Sequence, residues 1–160
     1  MNLAPKSTQR GFTLIELLVV IAIIGILSAV VLASLNTARN KGTDAAIKAN
    51  LATVQTQAEL YYDTNSQYAG AAVAGAAGSC ATASTMFSDT TIGNAIKAAT
   101  SAITGATEAT NYRCTASAGG SGAWAISSRL TTSGQFWCVD STGVGKQTTA
   151  LQGASIYACP

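Results

Sequence analysis

The sequence has no histidine, only two prolines and few charges: Asp, Glu, Lys and Arg make up 10% of its 160 positions, against about a quarter in ordinary soluble domains. Without histidine, general base chemistry at neutral pH and most zinc sites lose their commonest residue. Serines are plentiful, but no imidazole exists to activate one. Nine Lys+Arg stand against seven Asp+Glu, a net charge of +2, which gives no basic footprint for nucleic acid. C-x-x-C pairs are absent as well. Cys80, Cys114, Cys138 and Cys159 lie 34, 24 and 21 positions apart, which suits neither a zinc ribbon nor a redox motif. The expectation is a chain that is not an enzyme, with no catalytic residues, no metal and no cofactor.

Two short motifs look like ligand sites and fail on inspection. GVGKQT, residues 143–148, resembles a phosphate loop. The full pattern needs glycine at position 140 and Ser or Thr after the lysine; Asp140 and Gln147 stand there, so a hairpin turn is expected. DSTG, residues 140–143, has one charged oxygen donor, Asp140, where calcium needs several oxygens. A plain turn is expected there too.

What the sequence does have is one long apolar run. Leu17 to Leu35 gives 19 residues without charge or proline, and counting from Phe12 gives 24. As a helix the longer stretch measures about 36 Å, enough to cross a bilayer with some tilt. A secretory signal would have a shorter apolar core followed by a small-residue cleavage site. The hydrophilic piece lies before the run instead, as MNLAPKSTQRG. Its Lys6 and Arg10 favour a cytoplasmic N-terminus, although Arg39 and Lys41 stand just beyond the other end. Within this apolar stretch sits Glu16, and a carboxylate at the centre of a bilayer costs roughly 2.5–3.5 kcal/mol on insertion scales. Read without its context, Glu16 would snorkel to the interface, one turn from the helix start.

A basic leader ending in Gly11, then Phe12-Thr13-Leu14-Ile15-Glu16, then the apolar run: this segment resembles the start of a type IV prepilin, of the type IV pilin and type II secretion pseudopilin family. The close resemblance covers residues 5–35. It implies cleavage between Gly11 and Phe12 by a prepilin peptidase and N-methylation of the new amine on Phe12. It also implies a partner for Glu16, the N-terminal amine of a neighbouring subunit. Opposite charges in low dielectric attract strongly, and each is costly alone. One family feature is missing: many major pilins carry a proline late in the apolar helix, and residues 29–34 have none.

Beyond the run, Ile47, Leu51, Val54, Ala58 and Tyr61 recur at helical spacing and form one apolar stripe. A single helix from about Thr13 to Asp63 is expected, on the order of 75 Å long, with Gly42 as a weak point near its junction. Ala69–Thr85 is nearly all Ala, Gly, Ser and Thr, and reads as an exposed loop. Asp89 is placed to cap a short helix that buries Ile92, Ile96, Ala99 and Ile103. NYRCTAS, AWAISSRL and QFWCVD, divided by GGSG and TTSG, read as an antiparallel meander. In the second of these, Trp124, Ile126 and Ser128 alternate against Ala125, Ser127 and Arg129. Residues 146–160 add a fourth strand or a loop.

The expected fold class is α+β: a pilin-like ladle with one long N-terminal α-helix packed on a small antiparallel β-sheet head. The expected divisions are a cleaved leader (1–11), a transmembrane or filament-core half-helix (12–35), an amphipathic half-helix (36–65), a variable loop with a short helix (66–109), and the sheet with its C-terminal loop (110–160). The even cysteine count beyond a membrane segment reads as disulfides in an oxidising compartment. Four cysteines allow three connectivities, and the spacing does not choose among them. Cys80–Cys114 and Cys138–Cys159 are favoured: the first ties the loop to the first strand, and the second closes a C-terminal loop, as in many pilins.

The resemblance implies a subunit that is a single-pass protein of the cytoplasmic membrane before assembly and part of an extracellular pilus filament after it, serving adhesion, surface motility or DNA uptake. Its implied partners are copies of itself, the prepilin peptidase, and the assembly platform with its ATPase. A pseudopilin of a secretion or competence machine shares this N-terminus and is the first alternative; a signal-anchored enzyme or binding protein that never polymerises is the second, and the lack of histidine and the cleavage motif weigh against it.

Overall fold

The computed structural model describes residues 11–74, 79–103, 105–119, 122–132 and 134–160. The leader up to Arg10, the middle of the small-residue loop (75–78) and parts of the GGSG and TTSG turns lie outside this set. The fold is α+β. Helix α1 (Leu14–Asn65) is followed by β1 (Val73–Ala74), two short 3-10 turns, α2 (Thr90–Ser101), β2 (Tyr112–Ala116), β3 (Trp124–Arg129), β4 (Phe136–Asp140) and β5 (Gly145–Thr148). The chain divides into two compact units, residues 1–38 and 39–160.

In the first unit, every described residue is exposed, and α1 there consists of Leu, Ile, Val, Ala, Gly and Ser apart from Glu16, Asn36 and Thr37. An α-helix satisfies its own backbone hydrogen bonds, so such a sequence is stable as a helix in an apolar medium.

In the second unit, α1 has one buried face. Ile47, Leu51, Val54 and Ala58 are completely buried, and Tyr61 packs against them from the rim. The helix passes through Gly42 without a break and ends at Asn65. Ser66 follows with φ of 54° and donates its N–H to the Tyr62 carbonyl at 2.6 Å, a left-handed stop that satisfies a terminal acceptor. Asp89 caps α2 by accepting the N–H groups of Thr91 and Ile92. That orients α2 to bury Ile92, Ala95, Ile96 and Ala99, with Ile103 partly buried beside them.

The five strands form one antiparallel sheet in the order β1-β2-β3-β4-β5. Cys114, Ile126 and Val139 stand in register on one face, and Thr115, Ala125 and Asp140 on the other. The first face, with Trp124 and Ala116, joins the stripe of α1 and the apolar side of α2 in a single core.

Two expectations need correction, and β3 shows a feature that its alternation does not announce: Trp124, Ala125, Ile126, Ser127 and Ser128 are all completely buried. The C-terminal segment 149–160 covers the second face. Gln152, 1% exposed, donates to Thr115 Oγ1 and to the Ala125 carbonyl, each at 2.9 Å, and Thr115 Oγ1 donates to the Ile156 carbonyl at 2.6 Å. The tract Ala69–Thr85 is not simply an exposed loop. Its ends bridge at Ala69 and Thr85, which are both fully buried, and Val73–Ala74 add an edge strand to β2. Finally, GVGKQT is only half a turn. Gly143, at φ of 82°, closes the turn to Asp140, and Gly145–Thr148 continue as β5.

Candidate functional site

Gly11, Phe12 and Thr13 precede the first turn of α1. The Phe12 side chain is 90% exposed. A Cβ built on Gly11 meets no described atom within 4 Å, so among the described residues no contact requires glycine there.

The helix start is a reciprocal cap. Glu16 Oε2 accepts the Thr13 N–H at 2.8 Å and the Thr13 hydroxyl at 2.6 Å. Thr13 Oγ1 in turn accepts the Glu16 N–H at 3.3 Å. Thr-x-x-Glu is the capping-box spacing, present in the sequence but read above only as part of a processing motif. Glu16 thus has a partner inside its own chain. A single carboxylate oxygen serves both Thr13 donors.

The cysteines lie in the second unit. Cys80 is bonded to Cys114 with Cα atoms 5.1 Å apart, and Cys138 to Cys159 at 5.7 Å. Glu108 completes a cluster with Cys80 and Cys114, but both sulfurs are in the disulfide and Glu108 Oε1 accepts the Cys80 N–H at 2.6 Å. Among the described residues this cluster is a structural junction, without a thiolate to offer a metal.

Two aspartates organise the second unit; the turn at Asp140 was expected, whereas its hold on the tail and the role of Asp44 were not. Asp140 is 2% exposed. Its Oδ1 accepts the Thr142 N–H, the Thr142 hydroxyl and the Val144 N–H, and its Oδ2 accepts the Cys159 N–H at 2.9 Å. Burial raises its pKa, but these donors together hold it below the usual carboxylate value. The DSTG turn therefore uses its one carboxylate to shape itself and to hold the tail beside the Cys138–Cys159 bond. Asp44, 9% exposed, accepts the Thr131 N–H at 2.6 Å, the Thr131 hydroxyl at 2.7 Å and the Thr132 N–H at 3.2 Å. It fastens the end of β3 to α1. Burial again pushes its pKa up, and the bonds from Thr132 and Thr131 outweigh that and lower it. Asp44 precedes Ile47 by three positions and so extends the apolar stripe, which was the available signal. Further along α1, burial and the Glu59 carboxylate raise the Tyr68 phenol to about 12.

Comparison with known proteins bears on the N-terminal segment. Residues 6–32 match the family described as the prokaryotic N-terminal methylation motif. The chain is 46% identical over 59 residues to the type IV wide pilus major component PilA4 of Thermus thermophilus, covering 37% of this chain and 45% of that protein. It is 33% identical over 63 residues to the type II secretion system core protein G of Klebsiella michiganensis, covering 39% of this chain and 44% of that one. The matches thus span less than half the length of these curated relatives. No solved structure matches significantly. With Gly11 and Phe12 before a capping glutamate and an exposed apolar helix, the segment that matches the methylation motif stands in a chain similar over part of its length to a type IV pilus major component and to a type II secretion system core protein.

Proposed function

We propose that this chain is a prepilin whose processed form polymerises into a type IV pilus filament. The observation that carries this reading is the apolar half of α1. Residues 14–38 are exposed along their whole length, and Glu16 is their single charge. Such a surface is not stable in water. At roughly 25 cal/mol per Å² of apolar area, it drives the segment first into the cytoplasmic membrane and then against the same segment of other copies. Cleavage between Gly11 and Phe12, with N-methylation of Phe12, creates a cation beside the apolar run. Glu16 is then the only acidic group in the apolar segment that can neutralise it. Pairing the Phe12 amine of one copy with Glu16 of the next relieves two desolvated charges at once. The prepilin peptidase and an assembly platform with its ATPase are the partners this reading needs. Adhesion, surface motility and DNA uptake are the roles such a filament serves.

A pseudopilin of a type II secretion or competence machine is the second reading, favoured by the similarity to core protein G over 63 residues. Electron microscopy of material sheared from cells, with mass spectrometry of its main protein, separates the two. Long filaments composed of this chain beginning at methylated Phe12 support the pilin. Cells with this protein in the membrane and no surface filament support the pseudopilin.

A further inference from the structure

Four buried side-chain atoms find no hydrogen-bond partner among the described residues: Arg113 Nε, Trp124 Nε1, Ser127 Oγ and Ser128 Oγ. Buried polar groups are almost always partnered, so each of these calls for an account. Trp124 Nε1 has the Tyr68 phenol near it, whose pKa the indole acts to lower. Arg113 and Ser127 form a pair of another kind. Arg113 on β2 stands directly opposite Ser127 on β3, and Ser127 directly opposite Cys138 on β4. This row lies two positions along from Thr115, Ala125 and Asp140. Side chains alternate along a strand, so both rows share one face, and Ser128 lies on the other. The C-terminal tail closes over the row. The two terminal nitrogens of Arg113 donate to the Gln152 and Ala109 carbonyls, Gln152 donates to Thr115 Oγ1, and Cys138 is bonded to Cys159. Ser127 is completely buried.

We propose that one buried water molecule bridges Arg113 Nε and Ser127 Oγ beneath the C-terminal tail. The Arg113 Nε–H is a donor only, whereas a serine hydroxyl donates or accepts. A water that accepts the Nε–H and donates to Ser127 Oγ satisfies both atoms at once, and two polar partners are enough to hold a buried water. A small anion could accept two donors as well. It would have to shed its hydration for those two bonds alone, which costs far more than placing a neutral water. The bridge gives the tail a footing on the middle of the sheet. Arg113 carries the Gln152 carbonyl on one nitrogen and, through the water, Ser127 of the central strand on another. Both bridged atoms are sealed from solvent, so the water exchanges only when the tail lifts. The site serves a pilin and a pseudopilin alike.

The test is carried out on the full chain in detergent. Ser127→Ala gives results of opposite sign under the two possibilities. An unpaired buried hydroxyl is a penalty, and removing it should raise the folded-to-unfolded ratio. A hydroxyl that holds the water is worth a hydrogen bond, and removing it should lower the ratio roughly twofold to tenfold in urea titration. The second result is expected. The fall should shrink in an Arg113→Lys background, which lacks the Nε–H, because the two groups act through one water. A crystal structure of the same chain, at a resolution that shows ordered solvent, should place a water within hydrogen-bonding distance of both atoms. A ratio that rises or stays unchanged in Ser127→Ala, or a direct Arg113–Ser127 bond in the crystal, overturns the proposal. Crystals grown with bromide decide the remaining alternative: an anomalous peak between the two residues would assign the site to an anion and reject the water.

Discussion

Replacing Asp44 by alanine removes the acceptor of three hydrogen bonds, from the Thr131 N–H, the Thr131 hydroxyl and the Thr132 N–H. A hydrogen bond to a charged group contributes about 1.5–3 kcal/mol net. Thr131 is half-buried and Thr132 exposed, so water replaces part of what is lost. The expected loss of stability is about 2 kcal/mol, close to a thirtyfold change in the folded-to-unfolded ratio. Asparagine keeps one acceptor oxygen and should lose about half of this. Urea titration of the detergent-solubilised chain reads the effect through Trp124, which is fully buried in the core. A midpoint lowered by about 1 M is expected for a protein of this size. The effect depends on pH in a defined direction. The folded-state pKa of Asp44 is lowered, so its contribution is complete above the unfolded value near 3.9. It is lost as the pH falls through the folded value. The gap between wild type and Asp44→Ala should therefore close in acid. An unchanged midpoint at neutral pH, or a gap that persists undiminished at pH 2, would refute the assignment.

Removing the Cys138–Cys159 bond by a double serine substitution opens a loop with a sequence separation of 21 and should cost about 3 kcal/mol; limited proteolysis should then cut within 149–160 while the membrane helix is retained. Gln152→Ala leaves the buried Thr115 hydroxyl and Ala125 carbonyl short of a donor, at about 1–3 kcal/mol, read in the same urea titration. Glu16→Ala should leave membrane insertion intact or slightly improved, because a charge is removed from the apolar run, and should reduce sheared filaments to near background; normal piliation would contradict the pairing with Phe12. Gly11→Phe should leave an uncut precursor in the membrane, whereas intact mass of the wild-type surface protein should show residues 1–11 missing and one methyl group added.

The parts of this protein legible in the sequence are those whose information is local. The apolar run, the stripe from Ile47 to Ala58 and the cap at Asp89 each express a helical period or a terminus within a few residues. The strands around Cys114, Ile126 and Val139 are bounded by glycine-rich turns. The Thr13–Glu16 cap was equally local, but it overlaps a motif that draws the eye to processing. Gly11, Phe12 and Glu16 stand out because they precede or interrupt a long apolar run, and because a carboxylate among aliphatic residues calls for a partner.

What the sequence by itself determined is the division between a helix that is apolar on every side and a second unit with one apolar face, because hydrophobic patterning is written in consecutive residues. Only the tertiary structure decided that the sheet is covered on both faces. Segment 149–160 has no periodicity to announce it. It is held by partners far away in the chain: Gln152 by Thr115 and Ala125, Cys159 by Cys138 and Asp140. The same holds for Asp44, whose donors lie 87 and 88 positions away. A buried polar group is stable only when a donor or acceptor meets it, and which residue meets it is set by the packing of distant segments, which no local pattern encodes.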